Sequence, residues 1–166
     1  MTLSPRLTFF STALLCAALL GYGYYLEYVE FLDPCNLCKL QRVAFMAVIL
    51  FAMIGMVHGS TGAASRVYHL LIALSATAGA ALAGRQVWLQ GLPPEDVPEC
   101  SPGLEFMLES SPWLDVFREV LTGSGSCAEI DWSFLGLSIA GWALAWFAVI
   151  VLANLIWAIK GYRRAY

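Results

Sequence analysis

Four of the five cysteines in this 166-residue chain are spaced for sulfur chemistry. Cys35-Asn36-Leu37-Cys38 is a C-x-x-C, and Cys100 and Cys127 form a wider pair with 26 residues between them. Asp33-Pro34 reads as a helix N-cap followed by a proline at the first helical position. Cys35 and Cys38 then fall in the first turns of a helix, three apart on one face, where the positive end of the helix dipole favours a sulfur anion. Arg42, four residues beyond Cys38, shares that face and adds a fixed cation. Three chemistries suit such a set. The cysteines staple loops as structural disulfides, hold zinc as four thiolates, or pass electrons between two redox pairs. Zinc normally takes its second pair from another close C-x-x-C, which Cys100 and Cys127 are not. The helix start, the arginine and the second pair together favour the relay.

The elements that hold these residues must sit in lipid. Apolar types make up 60% of the chain and charged residues 13%, with 9 basic against 12 acidic side chains and net charge −3. Such a composition cannot cover a soluble globule with polar surface, and it offers no basic patch for a nucleic acid. Crossing the hydrocarbon core takes about 20 apolar residues as a helix. Residues 7–26, 37–57, 67–89 and 134–159 meet or approach that length, and none alternates as a barrel strand would. The first run exceeds a signal-peptide core and has no small-x-small cleavage site, so it reads as a retained helix. Ser75, Gly79 and Ala83 recur every fourth residue in the third run, a stripe that permits close helix packing. Cys16 lies mid-span in the first run, where a lone thiol is a small apolar filler.

An even number of spans puts both termini on one side. That side carries Arg6, Arg66, Lys160, Arg163 and Arg164, which makes it cytoplasmic by the positive-inside rule. All twelve acids fall opposite, in external loops at 27–36 and 90–133, and the four paired cysteines lie in those loops or, for Cys38, at the outer end of the second span, where an oxidising compartment lets disulfides persist. Proline around Cys100 and the Gly123-Ser124-Gly125-Ser126 run before Cys127 predict mobile backbone that a partner protein could reach. Between them Trp113, Phe117, Val120 and Leu121 recur at helical spacing, predicting a short amphipathic helix on the membrane surface. The fold class is therefore all-α: one membrane-embedded domain over residues 1–166, a four-helix bundle with two non-cytoplasmic loops and an interfacial helix. His58 and His69 lie on or near the cytoplasmic side, away from the cysteines, and no glycine-rich dinucleotide fingerprint is present. A lipid-soluble quinone is the electron acceptor most compatible with apolar helices.

The motifs carry a resemblance over nearly the whole chain. Cys35-Asn36-Leu37-Cys38 running into Gln41-Arg42, then Pro98-Glu99-Cys100, then Cys127-Ala128-Glu129 with Trp132, Phe134, Leu135 and Gly136, closely resemble the DsbB family of bacterial inner-membrane disulfide bond formation proteins. The resemblance implies a protein-disulfide:quinone oxidoreductase that reoxidises a periplasmic, thioredoxin-fold DsbA-like dithiol. It implies that Cys100, paired at rest with Cys127, forms the mixed disulfide with that partner, and that Cys35 exchanges with the loop thiols. It further implies that Cys38 passes electrons to ubiquinone or menaquinone through a thiolate–quinone charge-transfer complex, with Arg42 stabilising the anion and the quinone. No metal site is expected. One position departs from the family pattern: Gln86 stands where many members carry a histidine near the quinone. An amide hydrogen-bonds a quinone oxygen but relays no proton. Gln90 is a second candidate quinone contact, and Trp88 reads as an interfacial anchor.

Overall fold

A computed structural model describes residues 5–59, 62–98, 106, 107, 109 and 112–160. Glu99, Cys100, Pro102, Arg163 and Arg164 lie outside the described residues. Among the described residues, four helices are long and apolar enough to cross a membrane. They are α1 (Pro5–Tyr28), α2 (Asn36–Val57), α3 (Gly62–Gln90) and α6 (Ile139–Lys160), the last counted after two shorter helices, α4 (Trp113–Thr122) and α5 (Gly125–Ala128). In lipid every backbone N–H and C=O must be satisfied within the segment, which is why uninterrupted apolar runs fold as helices. Helix α2 packs between α1 and α3, and α3 makes its most extensive contact with α6.

Small residues set how closely the helices approach. Gly79 lies against the Phe147 ring of α6, whose tip occupies the space a Cβ would need. Phe147 stacks in turn on Phe45 of α2, ring centres 4.0 Å apart. One core cluster runs through all four helices, with Phe9, Ala13 and Cys16 from α1 meeting Val48, Ala52, Ile72, Ala76, Ala83 and Ile150. Cys16 is thus a buried filler, as its lone position predicts. Within the same bundle His69 Nδ1 and Asn154 Oδ1 pair at 2.8 Å between α3 and α6, and Phe9 stacks on the imidazole.

Two boundaries differ from the sequence reading in ways that shape the site. The fourth span starts at Ile139, not 134, because Ser133–Phe134 (β1) and Leu137–Ser138 (β2) pair as a small antiparallel hairpin. Its turn residues Leu135 and Gly136 both have positive φ, 52° and 80°, the combination that matches a two-residue turn to strand twist. Helix α2 starts after Cys35, which is itself the N-cap with extended backbone (φ −65°, ψ 168°). Its carbonyl accepts the first helical bond, from Lys39 N–H at 3.1 Å. Asp33 and Pro34 therefore precede the helix, and residues 31–35 run without regular structure.

Helix α4 is amphipathic. Val116 and Val120 pack with Met107 and against Leu40 of α2, while Trp113 and Leu114 stay exposed. Arg85 of α3 donates to the Thr122 carbonyl at 2.9 Å, tying the end of α4 to the bundle, and its guanidinium covers the Trp88 ring at 4.2 Å.

Candidate thiol-exchange site

Three sulfurs meet at the head of α2. Cys35 Sγ and Cys38 Sγ are 3.5 Å apart, unbonded, as N-cap and third residue of one helix start. Cys127 reaches them from the other loop and is fully buried with Leu37 and Leu89, Cys35 packing against the same cluster. The Gly123–Ser126 run is thus not a mobile tether for Cys127. Gly123 takes φ +80°, which lets the chain drop against Leu89 and Leu37, and Ser124 then stands at the N-cap position of the single turn α5, its carbonyl accepting from Cys127 N–H at 2.8 Å. Glycine and serine here make a close approach to a packed surface, a use that composition alone does not separate from flexibility.

Hydrogen bonds rank the two loop-side sulfurs. Cys127 is held below the ordinary thiol value, chiefly because Cys35 donates to it. Burial works against this, while the backbone N–H groups of Ser124 and Leu37 and the Ser124 hydroxyl assist. Leu37 N–H belongs to the unsatisfied first turn of α2, so the helix N-terminus serves Cys127 as well as the C-x-x-C. Cys35 is correspondingly pushed up, through its hydrogen bonds to Cys127 and Cys38 and through burial. The contact favours the charge on Cys127 and the proton on Cys35.

Gln86 closes the site from α3. Its Nε2 lies 3.3 Å from Cys38 Sγ and 3.4 Å from Cys35 Sγ, and its Oε1 accepts from Gln41 Nε2 at 2.8 Å. Cys38 Sγ is also 3.4 Å from that Oε1. Sequence reading assigned Gln86 to a quinone and gave Gln41 no role; their pairing joins residues 45 positions apart and has no local signal. Arg42 lines one cavity with Cys38 and has partners that the sequence reading did not foresee. It forms an ion pair with Glu27 of α1, donates to the Gly23 carbonyl at 3.3 Å, and lies 4.6 Å over the Tyr24 ring. Its charge is shared with a carboxylate.

Beside the sulfurs opens a cavity of about 420 Å³, of the size that takes an organic ligand. Cys35, Cys38, Arg42, Gln86 and Gln90 contribute to its wall, and Leu19, Phe45 and Trp146 supply apolar surface. Gln90 Oε1 accepts from Ser138 at 2.7 Å, so the hairpin fixes this amide too and leaves its NH2 as a donor. Trp132, Phe134 and Trp142 form an aromatic run on the hairpin side, with Trp142 Nε1 donating to the Phe134 carbonyl at 3.0 Å. Cys100 lies outside the described residues, so its pairing with Cys127 remains an expectation. Among the described residues no cluster of three or more His, Cys, Asp or Glu is arranged to hold a metal ion.

The chain is similar to known proteins over nearly its whole length. Residues 5–157 match the family model described as disulfide bond formation protein DsbB. A protein of Marinobacter nauticus named disulfide bond formation protein B is 44% identical over 160 residues, covering 96% of this chain and 95% of its own length. Proteins of the same name from Azoarcus and Chromohalobacter salexigens are 47% identical over 148 residues and 48% identical over 143. They cover 89% and 86% of this chain, and 88% and 83% of their own lengths.

Proposed function

This chain belongs to the DsbB family of disulfide bond formation proteins, and on that premise we propose that it is a multi-pass membrane thiol oxidoreductase drawing electrons from a DsbA-like periplasmic dithiol and delivering them to a quinone. The observation that carries the reading is the contact of Cys127, from the long loop, with Cys35 of the C-x-x-C. A structural staple needs its two sulfurs bonded and left alone. A relay needs the loop sulfur within reach of the next disulfide, and the packing of Cys127 against Cys35 fits that need.

Four cysteines suffice for the exchange. A partner thiolate attacks Cys100 of a Cys100–Cys127 disulfide; the partner–Cys100 bond forms and Cys127 leaves as the anion. Cys127 attacks Cys35 of a Cys35–Cys38 disulfide, so the Cys127–Cys35 bond forms and the electron pair departs on Cys38. The second partner thiol frees Cys100 and carries the new disulfide away. Cys100 then attacks Cys127, restoring its own pair and leaving Cys35 and Cys38 as a dithiol. Each exchange conserves electrons, and two have moved from partner to C-x-x-C.

A quinone bound in the cavity supplies the two-electron acceptor for that dithiol. The lining fits such a ring: apolar and aromatic walls, with Arg42 and the Gln90 NH2 as donors near Cys38. Gln86 contributes to the same wall. Gln86 relays no proton, but Asp33, Glu129 and Asp131 also line the cavity, and these carboxyl groups, like water, would exchange protons with a bound ring. The charge distribution of the sequence supports cytoplasmic termini in a bacterial inner membrane, with the sulfurs at the periplasmic end.

The test is anaerobic. The purified oxidised protein, stripped of quinone, receives one equivalent of a reduced DsbA-like protein, is quenched with an alkylating agent, and its disulfides are mapped. A Cys35–Cys127 linkage with Cys38 alkylated supports the relay. A partner left fully reduced beside intact Cys35–Cys38 and Cys100–Cys127 bonds overturns it.

A further inference from the structure

Two buried amides stand against the C-x-x-C, and the mechanism above leaves them without a task. Gln41 and Gln86 are each only 4% exposed. Gln41 Nε2 donates to Gln86 Oε1 at 2.8 Å, while Gln86 Nε2 lies 3.3 Å from Cys38 Sγ and 3.4 Å from Cys35 Sγ. A carboxamide has a donor end and an acceptor end of nearly equal shape, so only its partners decide which faces the sulfurs. Turned by half a rotation, Gln86 would set its NH2 against the NH2 of Gln41 and its carbonyl oxygen against the sulfurs. With both side chains buried, each mismatch leaves a polar group without a partner and costs stability.

We infer that Gln41 is a positioning residue, holding the Gln86 amide with its NH2 toward the C-x-x-C so that Gln86 receives the negative charge released on Cys38. The inference rests on the exchange reading above. When Cys127 attacks Cys35, the Cys35–Cys38 bond breaks and its electron pair goes to Cys38 Sγ. A donor already aimed at that atom acts as an oxyanion hole does, stabilising charge where it appears without reorganising. The same amide serves the protonated state, since a Cys38 S–H can donate to Gln86 Oε1 at 3.4 Å. Gln86 thus meets both forms of the sulfur without turning, provided Gln41 keeps it in place.

The experiment needs neither partner nor quinone, so it fails or succeeds separately from the relay. The reduced full-length protein is alkylated at fixed pH and the rate at Cys38 is read by site-resolved mass spectrometry. Losing a hydrogen bond to a charged sulfur is expected to lower that rate about tenfold in Gln86→Met. In Gln41→Met the two amide orientations become comparable, so the rate drops about twofold. Adding Gln41→Met to Gln86→Met changes nothing further, because no amide is left to orient. Gln41→Glu, of the same shape as the parent, serves where Gln41→Met does not fold. Its carboxylate accepts from the Gln86 NH2, turns the amide around, and lowers the Cys38 rate about as far as Gln86→Met does. A merely structural role predicts the opposite sign, since a loosened site exposes all three sulfurs and speeds alkylation. The inference is overturned by faster alkylation, by parental rates in both Gln41 variants, or by an undiminished Gln41→Met effect in the Gln86→Met background.

Discussion

Replacing Cys35 with alanine tests the ranking of the sulfurs at its origin. Burial by itself would raise the Cys127 thiol, yet Cys127 is held down, and the donor contributing most is Cys35. A hydrogen bond to a charged group is worth about 1.5–3 kcal/mol. At 1.36 kcal/mol per pH unit, its loss moves the Cys127 titration up by roughly one to two units. The sign follows from which form reacts. Thiolate is the nucleophile, so the alkylation rate at Cys127 is maximal above the folded-state pKa and falls tenfold per pH unit below it. In Cys35→Ala that fall begins roughly one to two units higher. The assay is the pH–rate profile of Cys127 alkylation in the reduced protein. Its midpoint, not its height, is compared, because access to the buried sulfur scales the whole curve equally. Cys35→Ser, which keeps a donor of similar reach, should lie between parent and alanine. A Cys35→Ala profile superimposed on the parental one, or displaced to lower pH, refutes the reasoning.

Other perturbations probe the frame, the cavity and the entry point. Gly79→Ala places a methyl group within the Phe147 ring and should cost about 1–3 kcal/mol in a detergent unfolding titration; parental stability would mean that Phe147 does not seat against α3. Arg42→Met should raise the apparent quinone KM about tenfold with the KM for the partner unchanged, and an unaltered quinone KM removes Arg42 from acceptor binding. Cys100→Ala should abolish oxidation of the partner dithiol while quinone still co-purifies; oxidation at the parental rate would place entry at another sulfur.

The transmembrane helices were legible because lipid imposes a severe rule, about 20 apolar residues per crossing, and the chain obeys it. The glycine at position 79 was legible for a related reason, since small residues at four-residue spacing mark close packing. What stayed hidden depends on contacts far apart in sequence. Arg42 and Gln41 sit on α2 beside the cysteines, but Glu27 and Gln86, which pair with them, arrive from α1 and α3. The burial of Cys127 follows from one glycine at φ +80°, and a Gly-Ser-Gly-Ser run advertises freedom, not that constraint. Residues 134–138 of the hairpin fall inside the predicted fourth span because Phe134, Leu135 and Leu137 extend its apolar run. Leucine at a positive-φ turn position gives no warning, and only Gly136 hints at the reversal.

Three sulfurs at one helix start have an arithmetic consequence. Disulfides use sulfurs in twos, so while Cys100 is engaged by another molecule the remaining trio must leave one over. Cys35, touching both neighbours, is the member that can bond in either direction. The odd sulfur is then Cys127 at the loop edge or Cys38 beside the cavity. A swap of bonds at one atom thereby relocates a full unit of negative charge toward the bilayer, and it does so over the width of a few atoms.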